Sequence, residues 1–297
     1  MLMQMDGMYT LSLLGGQARA FLMEGTHMVE RARQLHGLSR TATAALGRTL
    51  MAASMMGAML KGERESLTVT LKGSGPIGTV LAVGKSDATV KGYVDNPEVE
   101  LPRTGAKLPV GTAIGLPGKL TVVKDLGMRD PYVGMVNLVS GEVAEDFAMY
   151  FTASEQVPSL VALGVLVGQK VEAAGGAIVQ MLPGASESAV KSVEQSAGMF
   201  SDISATMREY HLKGALEQLF SHLEPEIIAQ ALPAYRCDCS RERVERALIS
   251  LGESELEQMI DLDNGAEVNC HFCDKSYRFS GQELQALLDA ARDRRSE

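Results

Sequence analysis

The chain has 297 residues, of which 45% are hydrophobic and 22% are charged, and this balance excludes a disordered protein. Its formal net charge of -9 argues against nucleic-acid binding as the main function, because general nucleic-acid binders present a basic face. The sequence shows neither a signal peptide with a basic flank nor a run of about 18 apolar residues. We therefore expect a globular, cytoplasmic protein that binds neither nucleic acid nor membrane.

Residues 1–183 predict an α+β core domain with a mostly antiparallel sheet packed with helices. Runs of alternating apolar and polar residues are separated by hairpin-length turns, and they precede or follow helical segments. The expected strands are Met8–Leu14, Ala18–Glu24, Leu67–Lys72, Ile77–Gly84, Thr89–Val94, Lys119–Lys124, Gly134–Val139, Leu160–Val167 and Val171–Met181.

Three helices are expected in this domain. Thr26 can cap a helix that ends near His36, and Ser39 can cap the next one, Arg40–Lys61. This second helix is rich in Ala and Met and carries little charge before its end, so we expect it to be buried against a sheet. The third helix is expected over Glu142–Ser154.

Residues 184–232 read as a helical linker. The segments are short, amphipathic and polar, with few aromatic residues. Ser186 begins one expected helix, Leu212–Leu223 forms another, and Pro225 suits the first turn of a third. Since so few side chains can anchor it, we expect this metastable linker to unfold more easily than the core.

Residues 233–297 form the predicted C-terminal module. Ser240 can cap a helix over Arg241–Leu251, and Ser254 can begin a second helix. A hairpin and a last helix are expected after these, over Ala266–Cys270, Ser276–Phe279 and Gly281–Arg292.

All four cysteines lie in this module, and the first 236 residues contain none. They form two pairs, Cys237 with Cys239 and Cys270 with Cys273, separated by thirty residues. In a reducing compartment, clustered cysteines are more often metal ligands or redox groups than structural disulfides. Two such pairs complete a tetrahedron around one Zn2+ ion. His271 could also act as a ligand, but four cysteines already fill the tetrahedron.

A metal site of this kind is also a plausible sensor of oxidants. A module of about 60 residues buries little apolar surface, so the metal must supply much of its stability. Zn2+ holds sulfur as thiolate, the form that oxidants attack. Once the metal leaves, the pairs nearest in sequence, Cys237–Cys239 and Cys270–Cys273, can form disulfides that prevent rebinding. At this point a purely structural zinc site remains an open alternative.

Several motifs accompany the cysteine pattern. They are GSGPIG at 73–78, DLGMRDPYVGMVNLVSGEVAEDFAMYF at 125–151, SEQVPS at 154–159 and AAGGAIVQMLPGA at 173–185. With these motifs and its two cysteine pairs, the chain resembles the 33-kDa heat-shock protein family, the redox-regulated holdase chaperones, over essentially its whole length.

The resemblance implies a mechanism and partners. Reduced members bind zinc and are inactive. Peroxide with unfolding stress, or hypochlorous acid, oxidises the cysteines and releases the zinc. The module and linker then unfold, expose apolar surface and capture unfolding client proteins. Activated members form homodimers, use no ATP and hand clients over to ATP-dependent chaperones.

Other functions are disfavoured. A thiol–disulfide oxidoreductase would use Cys270 and Cys273 at a helix start, whereas here they lie in an expected hairpin. A zinc-ribbon module for nucleic acids conflicts with the acidic charge. The Gly73–Gly78 segment fits a dinucleotide-binding pattern, with Asp95 further on, but a strand rather than a helix is expected after it. We therefore predict a binding protein rather than an enzyme, without catalytic or cofactor-binding residues other than the metal ligands.

Overall fold

The computed structural model describes residues 6–103, 105 and 107–296, with only the backbone of 293–296. The chain forms two compact units, the first ending at Arg236 and the second beginning at Cys237. No helix in the described part of the chain is both long and apolar enough to cross a membrane.

The first unit combines strands and helices, which confirms the α+β class. Its strands are β1 (Gly7–Leu13), β2 (Ala18–Glu24), β3 (Ser66–Lys72), β4 (Thr79–Lys85), β5 (Thr89–Val94), β6 (Lys119–Asp125), β7 (Tyr132–Asn137), β8 (Ser159–Val167), β9 (Val171–Met181), β10 (Glu226–Ala231) and β11 (Ala234–Tyr235). Its helices are α1 (Thr26–His36), α2 (Arg40–Gly57), α3 (Val110–Ile114), α4 (Val143–Ala153), α5 (Glu187–Ser196) and α6 (Ile203–Phe220).

These strands form two sheets. The first has five strands in the order β10-β1-β2-β9-β8, all antiparallel. The second has six strands in the order β11-β5-β4-β3-β6-β7, antiparallel except for the parallel pair of β11 and β5. The segment Gly73–Gly78 is the turn between β3 and β4. It therefore leads into a strand and not into the helix that a dinucleotide-binding site requires.

Helix α2 is the centre of the first unit. It contacts β3, β4 and β5 of one sheet and β2, β8 and β9 of the other. All its residues are buried except Arg40 and Arg48, as its apolar composition predicts. Ser39 caps the helix as expected, because its Oγ accepts a hydrogen bond from the backbone N–H of Ala42 at 3.1 Å.

Glycine lets this helix and strand β4 touch through their backbones. A Cβ atom added at Gly84 would lie 2.1 Å from the carbonyl oxygen of Ala53, and one at Gly57 would lie 2.3 Å from that of Lys85. Helix α2 ends at Gly57 rather than at the expected Lys61. The expectation was wrong there because the contact with a distant strand is invisible in the local pattern.

The cap of helix α1 is also different from the expected one. Thr26 is the first helical residue, and its hydroxyl accepts a hydrogen bond from the N–H of Ala174 in β9. The buried Asp6 caps the helix instead, since its carboxylate accepts the N–H groups of His27 at 2.9 Å and Met28 at 2.6 Å. The free N–H groups are thus satisfied by a residue from another part of the chain.

The segment 184–232 is only partly helical. Ser186 caps α5 through the N–H of Ala189, and most of the expected helix Leu212–Leu223 lies in α6. The helix expected at Pro225 is wrong, because β10 follows this proline and pairs with β1. Two β-branched residues in β10 favour a strand, and the edge of β1 is available to pair with it. Together these outweigh the local helical pattern. The division of the chain at 183–184 stays a prediction.

The second unit is small. It contains α7 (Arg241–Leu251), α8 (Glu253–Asp263), β12 (Gly265–Asn269), β13 (Ser276–Ser280) and α9 (Gly281–Ser296). Ser240 caps α7 through the N–H of Arg243, and the expected hairpin is confirmed as β12 and β13. Helix α8 starts one residue before Ser254. The buried apolar core of this unit consists of Leu248, Leu256, Tyr277, Phe279, Leu284 and Leu288.

The contact of α2 with β4 generates a stability prediction. We expect Gly84→Ala to lower the free energy of unfolding of the first unit by about 1–3 kcal/mol or more, because the added methyl group meets backbone that cannot move aside. Gly198→Ala is the matched control, since no atom lies within 4 Å of its added Cβ. Urea unfolding followed by circular dichroism measures both. Equal stabilities of the two variants would contradict this packing.

Candidate metal centre

The four cysteines lie at two places in the second unit. Cys237 and Cys239 directly precede helix α7, whose cap Ser240 fixes the direction in which the chain leaves the pair. Cys270 and Cys273 lie in the turn between β12 and β13. Pairing of these two strands therefore presents the second pair at one end of a hairpin.

The four sulfur atoms converge. All lie within 4.8 Å of one another, and Cys237 Sγ is 3.7 Å from Cys270 Sγ, while Cys239 Sγ is 3.3 Å from Cys273 Sγ. A tetrahedron with Zn–S bonds near 2.3 Å places its sulfurs about 3.8 Å apart. The donor set and its spacing therefore fit one tetrahedral metal ion.

A tight turn orients the second pair. The carbonyl oxygen of Cys270 accepts the N–H groups of Cys273 at 3.1 Å and Asp274 at 2.9 Å, and the N–H of Cys270 donates to the carbonyl of Lys275 at 3.0 Å. Asp274 adopts φ 53°, which allows the chain to reverse. These backbone bonds point both sulfurs to the same side of the hairpin.

The four thiols are not equivalent. Burial raises the pKa of Cys237 and of Cys273. Burial acts in the same direction on Cys239, but hydrogen bonds from Tyr277 and from the other thiols lower the pKa of Cys239 to about 7. The thiolate form, which binds cations, is therefore favoured at Cys239 over Cys237 and Cys273.

Tyr277 is a neighbour of the candidate metal site that the sequence did not reveal. Its hydroxyl donates a hydrogen bond to Cys239 Sγ at 3.2 Å, and this bond raises the pKa of the Tyr277 hydroxyl, which stays a donor at neutral pH. The alternation of Tyr277 and Phe279 along β13 indicates that both rings face the core. Only the fold shows that one hydroxyl reaches a ligand.

All four predicted ligands are thus brought together. The exposed His271 is not part of the group of possible ligands found among the described residues. The hairpin position of Cys270 and Cys273 also lacks the helix start that a thiol–disulfide oxidoreductase uses for such a motif. The fold and the site define an α+β protein with a small C-terminal unit that contains a candidate four-thiol metal site.

Comparison with known proteins identifies the family. The family model of the Hsp33 protein matches residues 6–280. The chain therefore belongs to the Hsp33 family.

The individual relatives agree with this assignment. The 33 kDa chaperonin of Alkaliphilus metalliredigens is 46% identical over 276 residues, which cover 91% of this chain and 94% of the relative. That of Acetivibrio thermocellus is 44% identical over 285 residues. The crystal structure of the 33 kDa chaperonin (heat shock protein 33 homolog) of Thermotoga maritima has a TM-score of 0.86 and 38% identity, and the match covers 98% of this chain and 100% of that one. Family membership supports a chaperone function.

The bond between Tyr277 and Cys239 generates a prediction about metal affinity. We expect Tyr277→Phe to weaken Zn2+ binding by about 10- to 100-fold, the usual effect of removing a hydrogen bond to a metal ligand. The ring is retained, so the core packing of the unit is preserved. Tyr210→Phe, at an exposed tyrosine of the first unit, is the control. Competition with a chelating dye measures the affinity, and an unchanged affinity in Tyr277→Phe would contradict a role for the hydroxyl.

Proposed function

We propose that this protein is a redox-regulated, ATP-independent holdase that is inactive when its four cysteines are reduced and hold one Zn2+ ion. The observation that carries the proposal is the convergence of four sulfurs in a unit with a small apolar core. The chaperone class of the family is consistent with it.

The chemistry of the donor set favours zinc. Cys237, Cys239, Cys270 and Cys273 offer four soft sulfur donors at tetrahedral spacing, a set typical of structural Zn2+ sites. When bound, Zn2+ would keep the four sulfurs as thiolates and join the segment before α7 to the hairpin β12–β13.

This cross-link matters because the buried apolar core of the unit is small. Six apolar side chains are buried in its core, and Cys239 and Cys270 themselves pack against them. Metal binding in small modules contributes on the order of 10–16 kcal/mol, which is comparable to the whole stability of a domain. Loss of the sulfur cross-link therefore leaves a unit that cannot stay folded.

Oxidation is the proposed trigger. A thiolate attacks peroxide, the O–O bond breaks, and a sulfenic acid and hydroxide form. A second thiolate displaces hydroxide from that sulfur and forms a disulfide, so each disulfide takes two electrons from the protein. We propose the pairs Cys237–Cys239 and Cys270–Cys273. Each disulfide removes two ligands, and the metal is released.

The proposed consequence is exposure of binding surface. The linker, residues 184–232, is separated from this unit by residues 233–236 and is expected to unfold with it. The surfaces released would bind unfolded or partly folded client proteins in the cytoplasm. Dimerisation of the activated protein and hand-over of clients to ATP-dependent chaperones complete the proposal, both inferred from the family resemblance.

A metal and thiol count tests this function. We expect one Zn2+ and four free thiols per reduced chain, and neither after treatment with peroxide at raised temperature. The oxidised protein should then suppress the aggregation of a thermally unfolding protein without ATP, whereas the reduced protein should not. Oxidised protein that keeps its zinc would show a purely structural site, and oxidised protein that never suppresses aggregation would refute the holdase.

Removal of one ligand should imitate oxidation. We expect Cys270→Ser to lose Zn2+ at micromolar free metal and to leave the second unit unfolded without any oxidant, since three ligands cannot close the tetrahedron. Limited proteolysis of the unit after residue 236 provides the measurement. Ser250→Ala, at an exposed position on α7, is the control and should remain resistant. A protease-resistant Cys270→Ser protein would mean that the apolar core alone suffices.

A further inference from the structure

Strand β10 covers the edge of the five-stranded sheet in an unusual way. It pairs with β1 in the register of Met8 with Ala231 and Tyr9 with Gln230. Five of its six side chains are exposed, and only Ala231 is partly buried against the core. The strand is therefore held mainly by backbone hydrogen bonds, which do not depend on its sequence.

Strand β1, by contrast, belongs to the core. Its residues Met8, Leu11 and Leu13 are at most 1% exposed, so β1 stays in place as long as the first unit is folded. Its sequence, GMYTLSL, contains neither a charged residue nor a proline. A strand of this composition is a strong template for the addition of another strand if its edge becomes free.

The outer edge of β10 has the features that prevent such additions. The register shifts between Thr10 and Leu11, which leaves Ile228 of β10 as an extra residue in a bulge. Pro225 and Pro233 flank the strand, and Glu226 adds a charge at its start. Bulges, prolines and charges are the usual means by which proteins protect exposed edges. Thus β10 covers the edge of β1, and the outer edge of β10 is in turn protected against the addition of a further strand.

We propose that β1 is a client-binding edge, that β10 is its removable cover, and that an extended segment of an unfolding client replaces β10 by antiparallel strand addition. This inference rests on the proposed function, because β10 lies in the linker that is expected to unfold on activation. The bound β10 also shows which occupant fits: an extended stretch of about six residues, rich in Ile and Ala with one charge at its start, paired through its backbone. Recognition through the backbone suits a chaperone with many clients.

Hydrogen exchange of the full chain tests the proposal. The amides of β1 that face β10, about half of those in residues 7–13, should be protected in the reduced, zinc-loaded protein and lose protection after oxidative activation. They should regain it when reduced, carboxymethylated α-lactalbumin, a permanently unfolded probe, is added. The amides of β1 that face β2, and those of β9 in the interior of the sheet, should remain protected throughout. Amides facing β10 that stay protected on activation, or that exchange freely with the probe bound, would overturn the proposal.

The same samples separate this idea from the holdase function. If oxidised protein suppresses aggregation but the β1 amides that face β10 stay protected on activation, or exchange freely with the probe bound, only the strand-addition proposal is wrong. If it does not suppress aggregation at all, the proposed function itself fails. Protection of the amides facing β10 that returns without probe and grows with protein concentration would assign the edge to a second copy of this chain and would also overturn the client proposal.

Two neighbouring proline variants provide a second test without oxidant. In an antiparallel edge strand successive N–H groups point alternately towards and away from the partner strand, so one of Ala229→Pro and Gln230→Pro removes a bond to β1 and the other does not. We expect the variant that loses the bond, in its reduced and zinc-loaded form, to lose protection of the β1 amides that face β10 and to bind the probe. Its neighbour should behave like the unaltered protein. A variant with a bare β1 edge that does not bind the probe would overturn the proposal.

Discussion

The convergence of four sulfur atoms is the contact on which the proposed regulation depends. It brings together two segments that lie thirty residues apart, and the apolar core beside it contains six buried side chains. Sulfur is also the atom in the chain that is most readily oxidised. In the proposal, the same atoms would provide the metal cross-link and the sensitivity to oxidants.

The first unit is stabilised in a different way. Helix α2 is buried between two sheets, and its contact with β4 needs glycine at two positions because the backbones touch. No cysteine takes part in this core. An oxidant that opens the second unit would thus leave the α+β core folded. In the proposed function, a stable scaffold in the same chain as a labile unit would allow the protein to expose binding surface without unfolding completely.

Local sequence signals predicted the local features well. Ser39, Ser186 and Ser240 cap helices through N–H groups three residues further on, and strands β1 to β9 lie close to the expected positions. The cysteine spacing predicted the metal site because pairs separated by one or two residues place two donors on one side of an ion. In these cases the partners that decide the structure are neighbours in the chain.

The sequence by itself therefore determined the fold class, the four cysteines of the candidate metal site and the caps made within a few residues. Only the tertiary structure decided that Asp6 rather than Thr26 caps α1, that a strand follows Pro225, and that the hydroxyl of Tyr277 reaches Cys239. In each of these cases a group far away in the chain supplies the hydrogen bond. Such a partner leaves no trace in a local sequence pattern, since its position is set by the packing of all the elements that lie between the two bonded groups in the chain.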